Sequence, residues 1–523
     1  MQTTTTDVLV IGSGFGAAAP ALRLARAGLS VTVLEKGPDI GPGQYRQTQD
    51  PKYLLKYFKG LGNDHIGLTY AEGKGGGSGF YEMVSLRAPT LAFEQRDAAG
   101  RPLWPTGLSR AALDPWYDQA EAMLRVEQIA EADVPRSGQV FAMMMARLGY
   151  SCDRARYAVR NCLGSGYCVT GCLYGAKQSL HVNYLPQATE AGASIVCDAE
   201  ALDIRELAPR FTRANARRGR VPPRYTVRCR VGGKAGDLVE YHAGLVVLGG
   251  GTVGTARLLL ASRGGLPDLS DHVGRNIAFN GSVKAVGILA DDLPDGDMYT
   301  GRTHPGMISY QFLESHGVTV SAVKALPLML SSAARLRLAH VTPQPAWWGQ
   351  DNADLMAQAR HRMIILLSLG LTPPAGRITL DAIGAPQLSV TGVQDLARYE
   401  RKIEGLLHSI LTGNGCQVVE VEMVDQTGQP RPGTYFTTAH QTGSCRMADS
   451  AEMGVVDRNG EVFGCPGLFV SDGAAIPSSL AVNTSLTILA NAERIAAGMV
   501  ARYARPPADA PDTNGPATSA AAQ

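Results

Sequence analysis

The sequence predicts an α/β protein with a Rossmann-like dinucleotide-binding domain and a second domain beside it. Two observations carry this. The chain has 523 residues, too many for one ordinary core. Its first segment, "DVLVIGSGFGAAAPALRLARAGLSVTVLEKG", reads as strand, glycine turn, helix, strand.

Each element of that segment has a physical reason. Val8 to Ile11 is a short apolar run, as in a strand buried on both faces. Gly12, Gly14 and Ala17 form G-x-G-x-x-A. Gly12 permits the tight turn, Gly14 lets the backbone approach a pyrophosphate, and Ala17 allows close helix–strand packing. A phosphate then sits on the helix N-terminus, where free N–H groups and the dipole favour an anion. The second strand, Val31 to Leu34, ends at Glu35. That carboxylate is placed to accept ribose hydroxyls and to repel a 2′-phosphate. Pro20 falls inside the helix and predicts a local distortion there, not a lost helix. A second glycine cluster, "GKGGGSGF" from Gly73 to Phe80, suits backbone lying against a flat ring or a diphosphate. Taken alone it reads equally as a surface loop.

Composition excludes several classes. Net charge is +2, so no electrostatic case exists for nucleic acid or an anionic membrane. No apolar run approaches the ~18 residues of a membrane span. No charged segment followed by an apolar one precedes Asp7, and nine scattered cysteines suit a reducing compartment. A cytoplasmic protein without a signal peptide is expected. The Pro/Ala-rich residues 506–523 predict a disordered tail.

The C-terminal stretch "HQTGSCRM", then "GVVDRNGEVFGCPGLFVSDGAAIPSSLAVNTSLTILANAERIA", resembles the closing signature of the glucose–methanol–choline (GMC) flavin oxidoreductases. The N-terminal motif, the "GGGS" cluster and "LVVLGGGTVGTARLLLASRG" match the same family. The segment "NCLGSGYCVTGCLYGAK" with "NYLPQATEAGASI" is similar to its bacterial cholesterol-oxidase-like branch. The resemblance implies FAD and a discontinuous FAD-binding domain, residues 1–110, 180–265 and 435–505. Residues 111–179 and 266–434 are then a Cys-rich insert and a substrate-binding domain with a large mixed β-sheet. It also implies residue roles. Gly12, Gly14 and Glu35 hold the ADP half, with Phe15 and Gly16 in the same turn. Gly76, Gly77 and Ser78 lie near the diphosphate and flavin, and Asp472 and Gly473 contact the diphosphate–ribityl part. His440 and Asn483 face the substrate. Phe80 stands where the family often carries Asn, and Thr484 where Pro is usual.

The implied reaction oxidises an alcohol. It needs a base for the hydroxyl proton and a group that aims the carbon-bound hydrogen at flavin N5. Imidazole titrates nearest neutrality, which suits His440 to the first task. The amide of Asn483 suits the second. "MISYQF", "RMIILLSLGL" and the apolar stretch 325–348 point to a hydrophobic, sterol-like or long-chain alcohol, although a core reading serves them as well. A sugar or polyol dehydrogenase and a hydroxynitrile lyase with structural FAD are the alternatives.

Cys162, Cys168 and Cys172 are spaced C-x5-C-x3-C. Packing is the plain reading, since free cysteine is a common core residue. The spacing resembles that of GMC dehydrogenases carrying a three-iron, four-sulfur cluster beside FAD. That resemblance implies the three thiolates as cluster ligands and an external electron acceptor such as a cytochrome.

Overall fold

The computed structural model describes residues 2–207, 221–299, 301–302, 305–324, 334–338, 349–423 and 436–504. The tail 506–523 lies outside the described residues. So does the stretch 325–348, except the backbone of the strand Ala334–Leu338.

Among the described residues, two seven-stranded sheets dominate. In the first, Ser194–Val196, Val31–Leu34, Gln2–Ile11, Asp237–Leu248 and Leu468–Val470 run parallel. Tyr225–Val231 and Ala199–Glu206 add antiparallel pairs at one side. Val8, Leu9 and Val10 are fully buried, as a strand covered on both faces requires. The helix Phe15–Arg26 runs unbroken through Pro20. Pro20 leaves the Gly16 carbonyl without its helical donor. The Ser471 hydroxyl donates to that carbonyl at 2.6 Å, so the orphan is satisfied from outside the helix.

One buried carboxylate ties three remote segments of this unit. Glu493, in the last helix Ser485–Tyr503, accepts from both the Nε and Nη2 of Arg23 at 2.8 Å and from the Tyr184 hydroxyl at 2.6 Å.

The second sheet orders Ala334–Leu338, Gln417–Met423, Val283–Ile288, Met363–Gly370, Val318–Val323, Met307–Ser309 and Asp153–Arg154. Its pairs are antiparallel, so successive side chains alternate between two faces. Val283, Ala285, Val320 and Leu366 pack one face against residues of the helices Arg136–Arg147 and Val393–Gly413. The opposite face looks back toward the first sheet across a cavity.

Candidate active site

The cavity holds about 620 Å³. One wall is the carboxyl end of the first sheet with its turns: Gly12, Gly14, Phe15, Gly16 and Glu35. This is where open α/β sheets take ligands. The far wall is apolar, with Ile308, Val323, Leu367 and Leu369 set around Thr319 and Ser321.

The turn into the first helix is close-packed for a reason. Gly12 has φ of +96° and a side chain there would meet the Gly249 carbonyl. A Cβ on Gly16 would lie against the Asp472 backbone, within van der Waals exclusion. Ser13 fixes the turn: its N–H and hydroxyl donate to Glu35 Oε2 at 3.0 and 2.6 Å, and its Oγ accepts from Gly75 N–H at 2.8 Å. Gly37 N–H donates to Glu35 Oε1 at 2.8 Å. Glu35 therefore lines the cavity but is engaged with the protein, and burial raises its pKa. It braces the first glycine turn and, through Ser13 Oγ and Gly75 N–H, the second glycine cluster.

Gly76, Gly77, Asp472 and Gly473 also line the cavity. Ser78 is not in its lining. Its hydroxyl donates to Gly75 O at 2.7 Å and accepts from Leu180 N–H at 3.2 Å, which closes the glycine loop from behind. Asp472 Oδ2 accepts from Gly251 N–H at 2.7 Å and the Thr255 hydroxyl at 2.6 Å, at the start of the helix Gly251–Ala261. Burial raises this carboxyl to about 6.

His440 and Asn483 come together on the wall between the two sheets. Asn483 Nδ2 lies 3.2 Å from His440 Nε2, a distance at which the amide donates to an unprotonated ring nitrogen. Burial, and after it the positive charge of Lys284, push the imidazole down to about 4. His440 is thus neutral at neutral pH, the protonation state from which a base must start. The loop carrying Asn483 is clamped by Asn280. Its Oδ1 accepts from Leu480 and Ala481 N–H at 2.8 and 2.9 Å, and its Nδ2 donates to Val482 O at 2.9 Å. The clamp holds Ala481 at φ of +55°, a left-handed conformation unfavourable for alanine. Nothing in the sequence around Asn280 signals this role. Thr484, next in line, is the N-cap residue of Ser485–Tyr503 and lines the cavity. Phe80 lines it too, stacked on Tyr57.

Two sequence-family models, both described as GMC oxidoreductase, match residues 7–280 and 386–492. The chain belongs to the GMC oxidoreductase family. Members of this family are FAD-dependent oxidoreductases acting on alcohol-type substrates. Among curated relatives, an uncharacterized GMC-type oxidoreductase of Mycobacterium tuberculosis is 28% identical over 95% of this chain and 76% of its own. A long-chain-alcohol oxidase of Arabidopsis thaliana is 28% identical over 94% of this chain and 67% of its own. A cholesterol oxidase of M. tuberculosis is 27% identical over 94% and 90%. Of solved structures, pyridoxine 4-oxidase from Mesorbium loti superposes with a TM-score of 0.63 at 15% identity, covering 94% of this chain and 99% of that one. A formate oxidase from Aspergillus oryzae does so with 0.64 at 15% identity, covering 96% and 99%. These structural likenesses establish the fold.

The cavity of this GMC oxidoreductase fits FAD by its own residues. No side chain caps the helix Phe15–Arg26, so its N-terminus is free for a diphosphate. Around Gly77 and Gly251 a Cβ would meet nothing within 4 Å, which leaves open cradle. Gln441 Oε1 and Glu82 Oε2 are buried without partners, and both residues line the cavity. Such orphans call for a polar ligand. Neither was signalled by the sequence beyond the adjacency of Gln441 to His440.

The cysteine expectation fares differently. Cys162, Cys168 and Cys172 line one small cavity, and none of them is in a disulfide. That cavity holds about 20 Å³, room for roughly one water. Among the described residues no group of three or more His, Cys, Asp or Glu could hold a metal ion. As folded, the loop does not fit an iron–sulfur cluster. No helix among the described residues is long and apolar enough to cross a membrane.

Proposed function

We propose that this enzyme oxidises a primary or secondary alcohol to the aldehyde or ketone, with His440 taking the hydroxyl proton on Nε2 and Asn483 holding the substrate oxygen. The 3.2 Å His440–Asn483 pair, in the same cavity as the glycine cradle, is the observation that supports it. Bound FAD supplies the hydride acceptor at N5. The protein supplies the rest. An entering carbinol would replace the Asn483–His440 contact, its oxygen accepting from the Asn483 amide and its hydroxyl donating to His440 Nε2, which restricts the direction of its C–H bond. The apolar far wall excludes water and suits an alcohol with a hydrophobic body, sterol-like or long-chain. The named activities of the cholesterol oxidase and long-chain-alcohol oxidase relatives agree with that choice.

The test is anaerobic mixing of the FAD-loaded enzyme with a panel of alcohols. Bleaching of the flavin absorbance supports the reading. A flavin that stays oxidised with every alcohol, sugars included, overturns it in favour of a lyase or a redox-silent role. Repeating turnover with oxygen and with an artificial acceptor identifies where the electrons go.

A second reading concerns the cysteine loop. Gly164 N–H donates to Cys162 Sγ at 3.4 Å and Lys177 N–H to Cys172 Sγ at 3.5 Å, as backbone amides do around iron–sulfur clusters. Loading would require the loop to open, since the space is too small. Stoichiometric iron and sulfide, lost in Cys168→Ser, would support a cluster. Iron-free protein with full acceptor activity would return the thiols to packing.

A further inference from the structure

The apolar wall of the cavity runs from the alcohol site to a carboxyl group that the alcohol chemistry does not use. Along the strand Val318–Val323, Val318, Val320 and Ala322 pack under the helices, while Thr319, Ser321 and Val323 line the cavity. The Thr319 hydroxyl donates to Ala481 O at 2.6 Å. Asn483 stands on the same loop, so this end of the strand lies beside the His440–Asn483 pair. Val323 marks the other end, about 13 Å away at the rise of an antiparallel strand.

Contacts between neighbouring segments bring Glu82 to that other end. The pairing of Ile308 with Ser321, continued along the ladder, sets Gly306 near Val323. The Tyr157 hydroxyl accepts from Gly306 N–H at 2.6 Å, and Tyr157 bridges to Val84, close behind Glu82 in the chain. Glu82, Pro305 and Val323 line the cavity together. Met83 has φ of +62°, a left-handed conformation that strains a residue with a side chain. It turns two neighbours apart: Glu82 lines the large cavity and Met83 the small cysteine-lined one. Glu82 Oε2 is buried without a hydrogen-bond partner among the described residues. Burial raises this carboxyl to about 7, against the charges of Lys324 and Lys177 and a hydrogen bond from the Cys168 thiol.

A buried carboxyl oxygen without a partner is unfavourable, and a polar group of a ligand offsets that cost. Two cations already act on the charge of Glu82, so it calls for a hydrogen-bonding group and not for a further cation. A hydroxyl serves it in either protonation state, donating to the carboxylate or accepting from the acid. The terminal torsion of glutamate is soft, which lets the orphan oxygen turn to the cavity. We propose that Glu82 binds a second hydroxyl of the substrate, which makes the substrate an elongated diol with an apolar body between its two oxygens. This rests on the reading of His440 and Asn483 as the alcohol site. The body lies along Ile308, Leu367 and Val323, and the length of the wall strand, about 13 Å, sets the separation of the two hydroxyls.

The experiment compares 1,10-decanediol with 1-decanol, and 1,6-hexanediol with 1-hexanol, in the anaerobic reduction of FAD-loaded enzyme. The longer diol reaches from the alcohol site to Glu82 and the shorter one does not. Wild-type enzyme is expected to prefer decanediol over decanol by about tenfold or more in kcat/KM, the effect of one hydrogen bond to a charged group, seen mainly in KM. The hexane pair should show no such preference. Glu82→Ala should collapse the decane preference, while Glu82→Gln, whose amide still donates and accepts, keeps part of it. Flavin-to-protein ratios check that each variant is folded and loaded. Equal use of decanediol and decanol by wild type, a preference that survives Glu82→Ala, or FAD lost from both variants would overturn the proposal and leave the alcohol reading intact. If no alcohol bleaches the flavin, the alcohol reading fails, and calorimetric titration with decanediol decides the site. Binding weakened about tenfold in Glu82→Ala keeps the hydroxyl site, and equal binding overturns it as well.

Discussion

At the residue scale, His440 is tuned by what surrounds it. Its ordinary value near 6.5 is pushed down to about 4 by burial and by Lys284. The neutral, proton-accepting form is present above the pKa and is lost as pH falls through it. The reductive half-reaction is therefore expected to stay flat through 6.5 and to fall only toward pH 4. A stopped-flow pH series on alcohol reduction checks this, and an acid limb near 6.5 would contradict it. Ser471 acts on stability. Its hydroxyl satisfies the carbonyl that Pro20 orphans, so Ser471→Ala leaves a buried acceptor bare. It should cost about 1–3 kcal/mol, read from chemical denaturation.

At the element scale, the glycines of the cradle divide by what lies behind them. A side chain on Gly16 runs into the Asp472 backbone, whereas Gly77 faces open space. Gly16→Ala should push the first helix off the Asp472 loop and destabilise the protein by about 1–3 kcal/mol. Gly77→Ala should leave stability of the apoprotein unchanged and lower the FAD content. Thermal melts of apoprotein and flavin-to-protein absorbance ratios separate the two. These elements were legible because their signals are local. Gly12, Gly14 and Glu35 sit at fixed offsets in one strand–turn–helix–strand unit, and that unit lies along the cavity wall. Legibility ended where function depends on register or volume. Leu367 meets Ser321 on the cavity wall only because two strands some forty residues apart pair there. Asn280 clamps a loop two hundred positions away. Ser78 stands inside a glycine motif but turns its hydroxyl to Gly75 and Leu180. The cysteine spacing predicts convergence, and the thiols do line one space, but spacing carries no information on its size.

At the scale of the molecule, the site exists because distant segments meet. Arg23, Tyr184 and Glu493 come from three separate stretches and join at one carboxylate with no exposed surface. Glu493→Ala leaves Arg23 without its buried partner and should cost about 3–5 kcal/mol, seen as a lower denaturation midpoint. The two sheets in turn place a glycine-lined cradle and an apolar wall on opposite sides of one cavity, with His440 and Asn483 between them. The most direct measurement is single-turnover stopped flow on His440→Gln, loaded with FAD and mixed anaerobically with an alcohol that bleaches the wild type. Normal FAD content with flavin reduction slower by about 100-fold or more is the result expected of a base at His440; reduction at the wild-type rate would contradict that role.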